Sequence, residues 1–310
     1  DSRNVFGDTA LHIAVDPEVS PEFVKLLLLR NADPNSRDKT GNTPIMLALA
    51  RDNREAVELL LVNNADLYAK NYNEVTPLIR ALMKGISIIN WFYTPAMNQT
   101  IDAYGNTPLH TAVTNRTAID VVEFIINSGA DLNKKNFLGD TSLHAAVEYD
   151  YAAAASLMIE YGADPFLANN RGKAPAVLAF ERGIEFTSRL ITTQNLFITD
   201  LSGNTPILLA SQWNYPDIVS YLIKQGADIN THNKEGFTPI HFAVKNNSIK
   251  VCQVLANNGA LIDARDSYGN TPLHTAISWE SAQAAKFLLL RGANVHLRNL
   301  SGNTPLHTAV

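Results

Sequence analysis

GNTPLHTAVTNRTAIDVVEFIINSGADLNKKNFLGD (residues 105–140) encodes two helices too short to stand alone, each with its own start and stop signal. Thr107 caps the first turn with its hydroxyl, and Pro108 occupies the first helical position, where its missing N–H has no intrahelical partner to lose. A short helix follows from Leu109 to about Thr114, with Leu109, Ala112 and Val113 at helical spacing. The second helix carries Val122, Ile125 and Ile126 on one stripe beside Phe124. It ends at Gly129, a residue that adopts the left-handed closing conformation at little cost. The polar stretch after it, with a late glycine, reads as a hairpin leading into the next capped helix.

The same unit recurs along the whole chain. GDTALHIAV begins at 7, GNTPIMLAL at 41, EVTPLIRAL at 74, GDTSLHAAV at 139, GKAPAVLAF at 172, GNTPILLAS at 203, GFTPIHFAV at 236, GNTPLHTAI at 269 and GNTPLHTAV at 302. Successive starts are separated by 34, 33, 31, 34, 33, 31, 33, 33 and 33 residues, a rhythm that only a stacked-repeat architecture explains. Neither helix of a unit is stable alone in water, so each buries its apolar face on the next unit. Leu109, Ala112, Val122, Ile125, Ala146, Leu157, Leu222, Ala243, Leu255, Leu273 and Leu288 are the expected core. Gly162, Gly226, Gly259 and Gly292 repeat the role of Gly129, and Asn31 and Asn64 take it in RNAD and NNAD.

These elements, G-x-T-P-L-H and G-A-D-x-N at a spacing of 33 residues, resemble the ankyrin-repeat family over essentially residues 1–310. The resemblance implies an all-α solenoid of stacked hairpin–helix–helix units, about nine full repeats plus a partial tenth, in a single continuous array. The departures are Glu74 for the hairpin glycine, the eroded KAPAVLA at 173–179, and two units of only 31 residues. The shortened third and sixth units lack the Gly-Ala-Asp end. With hairpin glycines at 7, 105 and 203 each 98 residues apart, they suggest duplication of a three-repeat block. Irregular connections are expected at about 94–101 and 192–199, with altered geometry toward the next unit. Val310 stops in mid-repeat, so the natural protein is expected to continue, or another chain to cover Leu306, Ala309 and Val310.

Composition narrows the function classes. With 25 Lys and Arg against 30 Asp and Glu, the net charge of -5 argues against broad nucleic-acid binding. A single cysteine, Cys252, forms no intrachain disulfide and fits a reducing, intracellular and cytoplasmic setting; it occupies a core position matching Val122. The opening DSRNVFGDTALHIAV lacks a signal-peptide pattern, and no apolar run approaches a membrane span. The sequons at Asn98, Asn115, Asn246 and Asn299 are what chance supplies in so Asn-rich a chain.

No nucleophile elbow, phosphate-cradling glycine loop or His-Glu-x-x-His occurs, so no active site, metal, cofactor or small-molecule substrate is expected. His12, His110, His144, His241, His274 and His307 recur at one position of successive units. On stacked helices about 8–10 Å apart they cannot converge on one ion, which needs each nitrogen at about 2 Å. The resemblance implies that their imidazoles hydrogen-bond loop backbone. It also implies that Asn35, Asn133 and Asn230 are loop-stabilising amides, at positions like those hydroxylated in some ankyrin proteins.

The resemblance further implies protein or peptide binding. In the family pattern, two variable positions after the first helix's apolar core face a concave groove; here they include Glu148 and Tyr149, Gln212 and Trp213, and Ser278 and Trp279. Trp213 and Trp279, with Tyr149 and Tyr215, are the expected anchors. Hairpin tips add Tyr72, Tyr104, Phe137, Leu138, Phe237 and Tyr268. The rival readings are a targeting portion of a larger enzyme and a purely mechanical spacer.

Overall fold

A computed structural model describes residues 2–309, apart from the Ala309 side chain. The expectation of an unfinished face formed with Ala309 and Val310 therefore lies outside the described residues. Among those residues there is no strand, and the helices come in pairs, one pair per repeat. The chain forms two compact bodies, residues 1–163 and 164–310.

In the N-terminal body the leading helices are Ala10–Ala14, Pro44–Ala50, Pro77–Lys84, Pro108–Thr114 and Ser142–Glu148. Their trailing partners are Pro21–Leu29, Arg54–Val62, Ile86–Ile89, Ile119–Asn127 and Ala152–Glu160. In the C-terminal body the leading helices are Pro175–Glu181, Pro206–Gln212, Pro239–Lys245 and Pro272–Ser278. The trailing ones are Ile184–Leu190, Pro216–Lys224, Ile249–Asn257 and Ala282–Leu290, and a 3-10 turn, Pro305–Ala309, opens the tenth repeat.

The core is the expected one with a single correction. Leu109, Ala112, Val122, Ile125, Ala146, Leu222, Ala243, Leu255, Leu273 and Leu288 are buried, but Leu157 is only half-buried and Met158 is fully enclosed. Ile125, Leu222, Leu255 and Leu288 each stand four residues before the closing glycine. Met158 holds that place relative to Gly162, whereas Leu157 aligns with the half-buried Phe124. Cys252 is buried among them, and burial pushes its thiol up to about 12, which makes it an inert core hydrophobe.

The Gly-Ala-Asp end is legible atom by atom. Gly226 has φ +96°, its N–H and that of Ala227 donate to Ile223 and Leu222 carbonyls at 3.0 Å, and Asp228 Oδ1 accepts from Asn230 N at 2.9 Å. Asn31 and Asn64 adopt the same left-handed conformation, φ 60° and 64°. Asn35 is the loop-stabilising amide expected of it: Oδ1 accepts from Asp66 N at 2.7 Å and Nδ2 donates to Asn64 O at 3.1 Å. Asn230 likewise accepts from Leu261 N.

The two short repeats differ where the spacing predicts. In the third, the trailing helix is the four-residue Ile86–Ile89, followed by a 3-10 turn, Pro95–Gln99. In the sixth, Ile184–Leu190 gives way to irregular turns over 193–197. Buried Asn98 secures the first of these: its Oδ1 accepts from Tyr93 Oη at 2.6 Å and its Nδ2 donates to Ser128 O at 2.8 Å. Both ends of that amide are thus engaged inside the fold.

Candidate protein-binding surface

Three hydrogen-bonded devices hold the hairpins that carry the candidate residues. The first is the imidazole strap. In repeats one, four, eight and nine, the backbone N–H of Thr9, Thr107, Thr238 and Thr271 donates to Nδ1 of His12, His110, His241 and His274 at 3.2 Å. Nδ1 is therefore unprotonated, and Nε2–H donates to the carbonyl of Asn42, Asp140, Asn270 or Asn303 on the next hairpin at 2.9–3.2 Å. Both nitrogens are occupied, so these rings are structural ties between repeats. Burial lowers the pKa of His110 and pushes that of His241 down to about 4.

The second device is a backbone rung between neighbouring hairpin tips. Tyr72 N donates to Thr40 O at 3.1 Å, Phe137 N to Tyr104 O at 3.0 Å, Lys234 N to Ser202 O at 3.1 Å, Ser267 N to Glu235 O at 3.0 Å and Leu300 N to Tyr268 O at 2.9 Å. The approach is close enough to demand glycine: a Cβ on Gly236, at φ +79°, would lie 2.4 Å from Ser267 N. The third is an amide relay. Asn106 Nδ2 donates to Asp102 Oδ2 at 3.0 Å, while Asn106 Oδ1 accepts from Asn136 Nδ2 at 2.8 Å. Asp200, Asn204 and Asn233 repeat it, as do Asp266, Asn270 and Asn299.

Two joints lack rung and strap alike. Among the described residues no backbone bond links Asn73 O to Ala103 N, or Arg171 O to Leu201 N, and the strap histidine is replaced by Ile79 and Val177. Aromatic contacts stand in: Tyr93 against Phe124 at 5.7 Å in the first joint and Phe180 against Tyr215 at 5.9 Å in the second, both edge-to-face. At the first joint a cleft of ≈ 270 Å³ opens between Tyr68, Lys70, Glu74, Asp102 and Tyr104, with the Lys70 ammonium 2.6 Å from Glu74 and 5.2 Å from the Tyr104 ring centre.

On this frame the sequence-predicted contact residues separate into exposed and packed groups. Tyr72, Tyr104, Phe137, Leu138 and Tyr268 stand exposed at hairpin tips, and Tyr149 is exposed at the end of its leading helix in the N-terminal body. Phe237 is half-buried, packing on His241 at 5.5 Å and Phe242 at 5.6 Å. Tyr215 is half-buried on Phe180, and burial, with the Glu181 carboxylate beside it, pushes its hydroxyl up to about 12. In the C-terminal body Trp213 and Trp279 end equivalent leading helices two repeats apart and are 37% and 56% exposed.

Lysines flank both indoles. Lys173 Nζ lies 5.6 Å from the Trp213 ring and is ion-paired to Glu181, while Lys245 Nζ lies 4.2 Å from the Trp279 ring and 5.8 Å from that of Phe237. Sequence reasoning identified the rings and missed these lysines. The signal was a lysine at the end of the preceding leading helix, or just after its hairpin glycine.

Comparison with known proteins agrees with this architecture. The family model described as ankyrin repeats (3 copies) matches residues 11–101, 63–136, 81–169, 143–233 and 225–299. NF-kappa-B inhibitor alpha of Sus scrofa is 34% identical over 143 residues, 43% of this chain and 46% of the relative. A putative palmitoyltransferase of Danio rerio, ZDHHC13, is 33% identical over 132 residues, 41% of this chain and 20% of the relative. The chain thus spans less than half the length of these relatives. The crystal structure of the ankyrin repeat domain of Bcl-3, a member of the IkappaB protein family, superposes with a TM-score of 0.53 at 30% identity, covering 66% of this chain and 95% of that one.

Proposed function

The chain belongs to the ankyrin-repeat family, and on that premise we propose that it is an intracellular protein-interaction module, residues 1–310 forming one run of repeats that engages another protein or peptide. The observation that carries this reading is the pair Trp213 and Trp279, exposed at equivalent positions on the ends of two leading helices. Scattered apolar residues on a surface need no explanation, but indoles repeated at one register position line a single face, and tryptophan is among the residues that dominate interface energies. The inhibitor among the relatives is named for its action on another protein. The lone cysteine supports a reducing compartment, and no described helix is long and apolar enough to cross a membrane.

The test is quantitative recovery of co-purifying proteins on wild type and on the W213A/W279A variant, followed by affinity measurement on the recovered partner. The double variant should lose about 2 kcal/mol or more of binding while keeping its helical circular dichroism. Equal affinity in the folded variant overturns the assignment.

A second reading has one observation in its favour, the similarity to a palmitoyltransferase of which this chain matches only a fifth part. On that reading the repeats recruit substrate for a catalytic domain encoded elsewhere in the gene. The full-length reading frame discriminates between the two.

A further inference from the structure

Among the described residues of the C-terminal body, Lys245 is the cation that lies over two aromatic rings. It ends the leading helix Pro239–Lys245, at the register position held by Gln212 and Ser278 in the flanking repeats. Its ammonium lies over the Trp279 ring at 4.2 Å and near that of Phe237 at 5.8 Å, so two aromatic faces restrain a side chain that is ordinarily free to wander. Among the described residues no carboxylate lies within ion-pairing distance of it. Lys173 offers the contrast within the same body: it too sits against an indole, but Glu181 neutralises it.

The two ends of the surface therefore differ in charge. Trp213 presents an apolar ring beside a compensated pair, and Trp279 presents an apolar ring beside a fixed, uncompensated positive charge. A chain of net charge -5 that leaves one ammonium unpaired next to an exposed indole is complementary to a carboxylate carried beside an apolar group. Asn246, the next residue, is exposed and donates to Gln212 O at 2.6 Å, which ties the lysine's helix end to that of the preceding repeat.

We propose that the Trp213–Trp279 face takes an acidic peptide segment, with an Asp or Glu carboxylate on Lys245 and a neighbouring apolar side chain on Trp279. This deepens the protein-binding reading and rests on it. A single cation does not follow a phosphate backbone, which favours peptide over nucleic acid.

The probe is a phage-displayed library of random dodecapeptides, panned on the full chain. The enriched peptide is then synthesised and titrated against wild type, K245M, K245R and W213A/W279A. The expected peptides carry Asp or Glu next to an aliphatic or aromatic residue and bind more weakly as salt is raised. K245M, which keeps a hydrocarbon stem against the rings, should weaken binding about tenfold, K245R should restore most of it, and the double tryptophan variant should abolish it. Neutral or basic peptides that need the tryptophans but ignore K245M overturn the charge assignment and leave the interaction reading standing. Failure to recover any tryptophan-dependent peptide overturns both. Preferential binding of a dT12 oligonucleotide, lost in K245M, overturns the peptide in favour of nucleic acid. Wild-type salt dependence supplies a readout that does not rest on any variant folding.

Discussion

At the scale of single residues, the buried histidines set a pH dependence. His241 is neutral in the fold because burial holds its pKa at about 4 against 6.5 for the free side chain, outweighing the Nε2–H bond to Asn270 O, which favours the charged ring, while Nδ1 accepts from Thr238 N. Between those values the unfolded chain binds the extra proton, so stability rises with pH. The strap's contribution is complete above pH 6.5 and is lost as pH falls toward 4, by up to about 3 kcal/mol for this residue. Urea titrations at pH 7 and pH 5 should show about 2 kcal/mol of that loss, and His241→Gln should flatten the difference while costing some stability at pH 7. An unchanged slope in the variant would assign the effect to carboxylates instead. Where the ring is replaced, as by Met46 and Leu208, the capping hydroxyls of Thr43 and Thr205 are left buried without a hydrogen-bond partner, which shows what the imidazole supplies.

Among whole elements, the 3-10 turn Pro95–Gln99 departs from the helix pairs of the other repeats, and one amide secures it. Asn98→Ala would strand the buried Tyr93 hydroxyl and remove the donor to Ser128 O, a cost of about 2–3 kcal/mol. Thermal or urea unfolding measures it; a loss below about 0.5 kcal/mol would mean that water replaces the amide. This element marks the limit of what the sequence made legible. Helix starts followed from Thr-Pro and helix ends from Gly-Ala-Asp, because each is a local backbone requirement written in one or two residue types. The short repeats announced irregular connections by their length alone. Nothing in TPAMNQT specified that Asn98 points inward rather than toward solvent, because that depends on a tyrosine and a carbonyl brought up by tertiary packing. The burial of Met158 in place of Leu157 has the same character: four consecutive alanines blur the apolar stripe of Ala152–Glu160, and counting back from Gly162 resolves it. Of the binding candidates, chemistry and register position were legible, while the packing of Phe237 and Tyr215 against neighbours was not.

Taken as a whole molecule, the chain repeats its fastenings unevenly. Most hairpin tips share a rung, but among the described residues Ala103 and Leu201 find no backbone acceptor on the preceding hairpin. Amide hydrogen exchange should therefore be faster at these two residues than at Tyr72, Phe137, Lys234, Ser267 and Leu300, which hold the same register position with a bonded N–H. Equal protection across all seven would mean that the rungs contribute little. The same pattern explains why Glu74 is tolerated where other repeats carry glycine. It adopts φ 62°, a conformation that costs an L-residue energy, at a joint where no backbone rung draws the next hairpin against it. Gly172, at the second such joint, has open space where a Cβ would stand.

The missing rungs also bear on how the chain carries load. A hairpin ladder resists shear through short, directional bonds that fail together, whereas an edge-to-face pair of rings gives way gradually and re-forms after sliding. Tension applied along the N-terminal body would load the Tyr93–Phe124 contact together with the Asn98–Ser128 hydrogen bond, and along the C-terminal body it would load the Phe180–Tyr215 contact, a compliant joint because among the described residues no rung or strap backs it.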